Sequence, residues 1–346
     1  MQLHPDDEQL MLRDSIARFA SDRAGANPDA LAGDLADLGL LAMAAPERAG
    51  GLGGSGADLM VMMEAVGHGL LAVPLAGSIA ALDLLGRHGT AGQCSTWASP
   101  TIEGRRHLAF AMLDEASLSG GRLSGRAALV PGADRADALV LVAGGQAFLV
   151  PADSPGLSRH RLPLADGTGA ARLWLADTPA EPIAATPDQI ADSIARASAA
   201  ASAQMLGIME RMLADTLDYV KTRQQFGVAI GSFQTIQHRM ARLYVATGLC
   251  RSIVLAAAVG EAGVPRADWL SRVAAAQAML GEQAMHLAHE CVQFHGGMGI
   301  TAELALARGH AQLMVLARLF GGAATARRTF SERMDQDAAT TLHPVP

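Results

Sequence analysis

Apolar residues recur at helical spacing through the first hundred residues of the chain. Three amphipathic stripes cover residues 10–19, 31–41 and 59–66, and the Gly-rich run at 50–54 predicts a loop between the second and third. We therefore predict an N-terminal α-helical domain over residues 1–105.

Between residues 106 and 186 the pattern changes to short apolar runs that are separated by Gly, Pro and Asp. These runs cover residues 108–113, 138–142, 147–150 and 170–175. Short apolar runs with such punctuation are typical of β-strands. We therefore predict a small middle β-domain over residues 106–186.

Helical periodicity returns over residues 187–335. Four long stretches carry it, at 187–219, 233–261, 266–293 and 302–328. Four consecutive helices of this length predict an antiparallel four-helix bundle, followed by a tail over residues 336–346. The predicted fold class is α+β and mostly α, with an N-terminal helical domain, a small middle β-domain and a C-terminal four-helix bundle.

Composition narrows the class of protein. The chain has 346 residues, half of them hydrophobic, and a net charge of −7, which gives no electrostatic support for nucleic-acid binding. No apolar run reaches about 18 residues without charged or strongly polar residues, so we expect no membrane span. The three cysteines are an odd number spread along a long chain, which predicts reduced thiols and a cytoplasmic location.

The turn between the first two bundle helices carries polar side chains. Arg223 and Gln234 bracket this turn, and Phe226 lies between them. An arginine can bind a pyrophosphate with two hydrogen bonds, and a glutamine amide can read an adenine edge or a backbone group. The alternative is a capped helix–turn–helix corner in which Phe226 plugs the core.

A second candidate segment runs from Gln293 to Thr301. Its glycines, Gly296, Gly297 and Gly299, allow a backbone to approach a ligand closely. The segment lacks the Lys-Ser/Thr of a Walker loop, and it follows a helix rather than the strand of a Rossmann fingerprint. The alternative is an ordinary interhelical loop.

Two histidines and two glutamates lie close together on a predicted helix, roughly on one face. They are His286, His289, Glu282 and Glu290. The His-Glu-x-x-His pattern of metalloproteases does not occur, so we expect no metal site. No serine lies in a Gly-x-Ser-x-Gly elbow, so hydrolase chemistry of that type has no support.

Taken together, these segments resemble those of the acyl-CoA dehydrogenase family. The N-terminal part of the resemblance consists of Leu38-Gly39-Leu40, Pro46-Glu47, Gly50-Gly51-Leu52-Gly53, Glu64 and Gly67. The C-terminal part consists of Arg223-Gln224-Gln225-Phe226-Gly227, Phe233-Gln234 with His238, and Gln293-Phe294-His295-Gly296-Gly297-Met298-Gly299. Each fragment is weak alone, but together they follow the family's order and spacing on an α–β–α layout.

The resemblance implies FAD as the cofactor and a fatty-acyl or similar CoA thioester as the substrate, oxidised between Cα and Cβ. It also implies tetramers or dimers packed through the C-terminal bundles, and an electron-transfer flavoprotein as a candidate acceptor. In the family, one subunit's middle domain holds the flavin ring, and a neighbouring subunit holds the pyrophosphate and adenine. Carried over to this chain, the second role falls to Arg223, Gln225, Phe226, Gln234, Gln293, Gly296 and Gly297.

The family's catalytic base has no counterpart in this chain. Family enzymes abstract an α-proton with a glutamate whose pKa is raised by desolvation. The resemblance places that glutamate at Phe320 or, in another subgroup, at Ala197, and neither side chain accepts a proton. Asp192 and Arg196 lie within a turn or so of Ala197, and no glutamate is near either position. The catalytic residue therefore stays unassigned.

The flavin-ring segments of the middle domain depart from the family as well. Residues 113–119 stand in place of its Thr-Glu-Pro segment, and residues 127–132 stand where a flavin-stacking Trp is expected. These losses all fall on one subunit's half of the shared site.

We therefore hypothesise that the chain is one subunit of a heteromeric acyl-CoA dehydrogenase, a heterotetramer whose homologous partner supplies the ring pocket and the base. A steroid-side-chain or other bulky CoA thioester is the expected substrate, in lipid or steroid catabolism. The rival hypotheses are a homo-oligomeric enzyme with a relocated base and a non-enzymatic scaffold that has lost FAD.

Overall fold

A computed structural model describes residues 4–23, 25–26, 28–301 and 304–341 of the chain. Contacts between Cα atoms divide the chain into two compact units. The helical unit comprises residues 1–24, 55–71 and 198–346, and the sheet unit comprises residues 25–54 and 72–197. The boundaries of the three domains stay a prediction, which this division does not test.

The predicted fold class is confirmed, because helices dominate and one small region is built of sheets. In chain order the helices are α1 (Asp7–Asp22), α2 (Pro28–Asp37), α3 (Leu40–Ala44), α4 (Gly56–His68), α5 (Leu75–His88), α6 (Ala91–Gln93), α7 (Ser99–Ile102), α8 (Pro187–Thr222), α9 (Gln234–Gly263), α10 (Arg266–His295), α11 (Ala305–Leu316) and α12 (Gly322–Thr341). The strands are β1 (Leu108–Met112), β2 (Asp114–Ser119), β3 (Arg122–Pro131), β4 (Ala138–Ala143), β5 (Gln146–Pro151), β6 (Leu157–Pro163), β7 (Gly169–Pro179), β8 (Glu181–Ile183), β9 (Gln224–Gln225) and β10 (Val228–Ala229).

The sheet unit contains two four-stranded sheets. The first has the strand order β1-β4-β5-β8, in which β1 pairs with β4 in parallel, and the second has the order β2-β3-β7-β6. Leu123, Leu139, Leu141, Phe148 and Leu173 belong to the core cluster of buried side chains from both sheets. The four predicted apolar runs became β1, β4, β5 and β7. The pattern missed β2, β3, β6 and β8. Most side chains of β2 and β6 are exposed and polar, polar residues and a glycine interrupt β3, and β8 has only three residues.

The predicted fourth bundle helix, 302–328, is wrong in its extent. Residues 302 and 303 lie outside the described residues, and the rest is divided into α11 and α12. The division falls where Phe320, Gly321 and Gly322 all have positive φ angles, of 50°, 89° and 67°. The Gln277 side chain donates to the carbonyl oxygens of Leu319 and Phe320 at 3.0 and 3.4 Å, which holds this break in place.

The predicted tail over residues 336–346 stays a prediction. The backbone of α12 continues through Thr341, and residues 342–346 lie outside the described part of the chain.

Two glycines allow α4 and α8 to cross in backbone contact within the helical unit. A Cβ added at Gly67 would lie 2.0 Å from the carbonyl oxygen of Gln204, and one added at Gly207 would lie 2.0 Å from that of Glu64. Real Cβ atoms do not approach this closely, so neither position accepts a larger residue unless the helices separate. Beside the crossing, the Arg251 guanidinium on α9 binds Glu64 at 2.7 Å and Glu210 at 2.6 Å.

Helix α9 is unusually apolar for its exposure. Its length and its most apolar window, of mean hydropathy 1.7, would suffice for a membrane span, and 39% of that window is buried. A bundle helix with one apolar exposed face has the same composition. α9 packs against α4 and α10, so part of its apolar surface is covered and part is open.

We predict that Gly207→Ala lowers the free energy of unfolding by at least about 2 kcal/mol, because the added methyl group meets the α4 backbone. Chemical denaturation of the purified chain measures this change. Gly248→Ala is the matched control, since it lies on an exposed face of α9 with nothing within 4 Å of the position that its methyl group would take. The control should be neutral or stabilising by about 0.5–1 kcal/mol. Equal effects at the two positions would contradict a tight helix crossing.

Candidate functional site

A short hairpin follows the end of α8. Strands β9 and β10 pair antiparallel, with Val228 opposite Gln225, and Phe226 and Gly227 form the two-residue turn with φ angles of 54° and 81°. Two consecutive positive φ angles are the requirement of a type I′ hairpin turn. This turn projects the Phe226 ring outward, where it is 92% exposed. The alternative in which Phe226 plugs the core is therefore wrong.

The N-terminus of α9 begins beside this hairpin. Gln234 is the first helical residue, and the preceding Phe233 provides no side-chain cap for the free N–H groups of the first turn. The Phe233 ring contacts the Phe226 ring edge-on, with centroids 6.3 Å apart. Exposed Gln234 therefore lies next to an aromatic tip and a helix end of partial positive charge.

The C-terminus of α10 carries the Gly-rich segment. Gln293 is exposed, α10 ends at His295, and Gly296 follows with φ 60° and ψ −140°. This backbone conformation is accessible only to glycine. Space is not the constraint, since nothing lies within 4 Å of a Cβ built at Gly296 or Gly297. The Gly296 N–H donates to the Gln293 carbonyl oxygen, and the open space on the Cβ side of both glycines leaves room for the close approach of a ligand.

Contacts along the last two turns of α10 bring these segments to one end of the helical unit. The Arg239 guanidinium, from α9, donates two hydrogen bonds to the Glu290 carboxylate at 2.7 and 2.9 Å, and it lies 4.6 Å from the Phe294 ring centroid. On the other side, the Tyr219 ring at the end of α8 stacks on the His295 ring at 4.1 Å. The His295 Nδ1 donates to the Cys291 carbonyl at 2.9 Å, which fixes its tautomer.

Every residue predicted to bind the cofactor is exposed at this end of the helical unit. Arg223 forms no ion pair within the described part of the chain, so its guanidinium is available to an anion. A guanidinium and three side-chain amides supply hydrogen-bond donors for a pyrophosphate and an adenine, and the exposed aromatic ring supplies an apolar contact. The residues present therefore fit the adenine side of FAD, and their role in binding stays a prediction.

The sheet unit presents a different surface where the family's ring-binding segments were expected. β2 carries exposed carboxylates, and Glu115, at φ 50°, is paired with Arg126 at 2.5 Å. Ala128 and Leu129 of β3 are exposed where a Trp was expected. The structure instead places Trp174, 43% exposed, on β7 opposite Arg126, and the Arg172 guanidinium lies 5.8 Å from its ring centroid. The sequence interpretation missed this exposed aromatic, although its period-2 position on an alternating strand could have revealed it.

Neither position that the resemblance gives to the catalytic base holds a proton acceptor. Ala197 is fully buried in α8, and Phe320 lies half-buried in the break between α11 and α12. The buried carboxylate near Ala197 in the sheet unit is that of Asp83. Its oxygens accept from the Ser193 hydroxyl and the Arg87 guanidinium, both at 2.7 Å, and lie 3.5 Å from Arg196. Asp83 is therefore committed to a buried ionic network.

His289 and Glu290, from the histidine and glutamate cluster of α10, contact side chains of neighbouring helices. The His289 ring lies 5.4 Å from that of His310 on α11, and Glu290 binds Arg239. Burial and the neighbouring His289 lower the pKa of His310. Within the described residues, no group of three or more His, Cys, Asp or Glu side chains could hold a metal ion.

We predict that Glu290→Gln flattens the dependence of stability on pH. The hydrogen bond from Arg239 lowers the pKa of Glu290 below its ordinary value of 4.5. A carboxylate with a lowered folded-state pKa stabilises the protein above its ordinary pKa, and this stabilisation is lost as the pH falls through the folded value. The variant should therefore be less stable than the wild type at pH 7, by about 1 kcal/mol or more, with the difference vanishing in acid.

Unfolding titrations between pH 7 and pH 3 measure this difference. Glu332→Gln, an exposed position on α12, is the matched control and should follow the wild type throughout. A difference that stays constant with pH would show that the ion pair makes no ionic contribution.

Comparisons with known proteins agree with this architecture. The family model "Acyl-CoA dehydrogenase, N-terminal domain" matches residues 6–105, and "Acyl-CoA dehydrogenase, C-terminal domain" matches residues 188–334. The acyl-CoA dehydrogenase IpdE2 of Mycobacterium tuberculosis is 32% identical over 331 residues, which cover 90% of this chain and 94% of that protein.

Two solved structures of similar proteins extend over nearly the whole chain. A variant of the steroid ACAD Tcur3481-Tcur3483 superposes with a TM-score of 0.88 and 27% identity, covering 96% of this chain and 99% of its own. A chain of the ChsE4-ChsE5 complex of Mycobacterium tuberculosis matches with a TM-score of 0.85 and 26% identity, covering 100% of this chain and 100% of its own length. The chain therefore belongs to the acyl-CoA dehydrogenase family, whose cofactor is FAD.

Proposed function

We propose that this chain is one subunit of a heteromeric acyl-CoA dehydrogenase and supplies the adenine side of a shared FAD site. The observation that carries the proposal is that the chain has the residues for one half of that site and lacks the catalytic base of the other half. The adenine-side residues lie together and exposed at one end of the helical unit, whereas Ala197 and Phe320 occupy both positions of the base.

Each adenine-side residue has a role that its chemistry suits. Arg223 binds the pyrophosphate through its forked guanidinium, and the open space beside Gly296 and Gly297 lets the same anion approach the backbone. The amides of Gln234 and Gln293 hold the adenine or the ligand backbone, and the exposed Phe226 ring provides an apolar contact. When bound, FAD supplies the acceptor for the hydride that leaves Cβ of the acyl group.

The exposure of these groups supports a shared site. The Phe226 ring is 92% exposed at the tip of a strained turn, so it buries little apolar surface within its own chain even with its edge contact to Phe233. The same ring gains a partner when a second subunit covers the hairpin. In the proposed complex, this chain binds and orients the cofactor, and the partner's glutamate removes the α-proton.

A bulky CoA thioester, such as a steroid-side-chain derivative, is the substrate class that we propose. The proposal is supported by the similarity of this chain to the steroid ACAD Tcur3481-Tcur3483, at 27% identity over 96% of the chain. Within lipid or steroid catabolism, such an enzyme introduces the first double bond next to the thioester.

We also propose a cytoplasmic location, which the cysteines support. All three are free and buried. Burial raises the pKa of Cys250 to about 12 and that of Cys291 to about 11, so both stay as unreactive thiols at neutral pH. A reducing compartment suits a chain with no disulfide among its cysteines.

The decisive experiment is co-expression with a homologous acyl-CoA dehydrogenase chain that retains the glutamate base. We expect the complex to contain bound flavin and to reduce ferricenium when an acyl-CoA is added, and we expect this chain alone to do neither. Full flavin loading and turnover by this chain alone would overturn the heteromer in favour of the homo-oligomeric rival. A complex that forms without flavin would favour the scaffold.

We predict that Arg223→Ala weakens FAD binding by the complex about 10- to 100-fold, because a charged hydrogen bond to the pyrophosphate is lost. Flavin fluorescence during titration measures the affinity. Lys221→Ala is the matched control, since Lys221 lies two residues away, is exposed and pairs with Asp218 at 3.6 Å. Its complex should bind FAD as the wild type does. Equal losses in both variants would indicate a general charge effect rather than a specific contact.

A further inference from the structure

One exposed face of α9 is apolar along most of its length and basic at its N-terminal end. We call this the α9 face; it consists of His238, Ala241, Arg242, Val245, Ala246 and Leu249, which recur at helical spacing on one open side of the helix. Val245 is 59% and Leu249 56% exposed, and the adjacent Tyr244 is 74% exposed. Three large exposed apolar side chains within two turns mark a contact surface.

The charges of α9 are distributed unequally between its buried and exposed sides. No aspartate or glutamate occurs from Gln234 to Gly260, whereas His238, Arg239, Arg242 and Arg251 are all basic. Arg239 is paired with Glu290, and Arg251 with Glu64 and Glu210. Within the described part of the chain, His238 and Arg242 form no ion pair, and both lie exposed on the α9 face.

This distribution disfavours the packing of two identical α9 faces. An interface between them would bury Arg242 and His238 of each copy against apolar side chains, without one carboxylate from α9 to pair with them. Burying an unpaired guanidinium is costly, and like charges across an interface repel. A facing helix that carries aspartate or glutamate at one end and apolar residues along the rest would satisfy both parts of the face.

We propose that the α9 face docks a different subunit through an acidic and apolar helix, and that Arg242 makes this pairing more favourable than self-association. The inference rests on the proposed function, because it gives the chemistry of the partner of the heteromer. The chain as a whole is acidic, with a net charge of −7, whereas this face is basic. The selection is therefore a local property of α9. A nucleotide phosphate is the competing occupant of His238 and Arg242, and the experiment separates it from a protein.

The experiment uses a charge-reversed variant of the chain in place of the unknown partner. The double variant His238→Glu/Arg242→Glu presents an acidic α9 face, and its mixture with the wild type creates the complementary pair. Sedimentation equilibrium measures association of the wild type, the variant and the mixture. Each is measured at ionic strengths from about 0.1 M to about 1 M, which shortens the Debye length from about 10 Å to about 3 Å.

We expect opposite responses to salt. Association of the wild type with itself should strengthen as salt screens the like charges, whereas the mixed pair should weaken. At the lower ionic strength the mixed pair should be at least about threefold tighter than either chain with itself. The neutral variant Arg242→Gln should self-associate more tightly than the wild type. Arg18→Glu, on exposed α1, is the control and should form no preferred pair with the wild type.

The proposal is overturned if the mixture is no tighter than its components, or if wild-type association does not respond to salt. It is also overturned if Arg242→Gln leaves association unchanged and weakens the binding of inorganic pyrophosphate, which would make the face a phosphate site. Flavin loading of the co-expressed complex is read separately. Its loss with the salt responses intact would remove the proposed function and leave the α9 face as a selective docking surface.

Discussion

The ion pair between Arg239 and Glu290 is the interaction on which the functional end of the helical unit depends. It fastens the start of α9 to the last turns of α10, while the stack of Tyr219 on His295 fastens the end of α8. Successive helical residues are rotated by about 100°, so the buried side of α10 that carries Cys291, Phe294 and His295 leaves Gln293 facing outward. The carboxylate of Glu290 also balances the charge of Arg239, whereas Arg223 forms no ion pair within the described residues.

Backbone strain occurs at two aromatic residues with different consequences. Phe226 and Phe320 both have positive φ angles, a conformation that costs about 1–3 kcal/mol for a residue other than glycine. At Phe226 the hairpin turns its ring outward at the predicted cofactor site. At Phe320 the break ends α11 and starts α12, and it coincides with a position that family members use for a base.

The N-terminus of α9 and its exposed apolar face both take part in the proposed complex. Its N-terminus opens beside the Phe226 hairpin, where the cofactor is expected, and its apolar face continues for three turns beyond it. A subunit covering that face would also approach the adenine-side residues. Cofactor binding and subunit recognition would then be coupled, because the same helix takes part in both.

The sequence by itself determined the fold class and which residues belong to the candidate site. Periods of two and 3.6 residues are local properties, so β1, β4, β5 and the long helices α8, α9 and α10 could be predicted, as could the polar segments at their ends. Only the tertiary structure decided that Phe226 points outward, that the fourth helix is divided, and that Arg239 forms an ion pair with Glu290. Each of these depends on φ angles or on partners 51 residues away in the chain. A linear pattern does not encode such contacts, because they arise only when helices distant in sequence pack side by side.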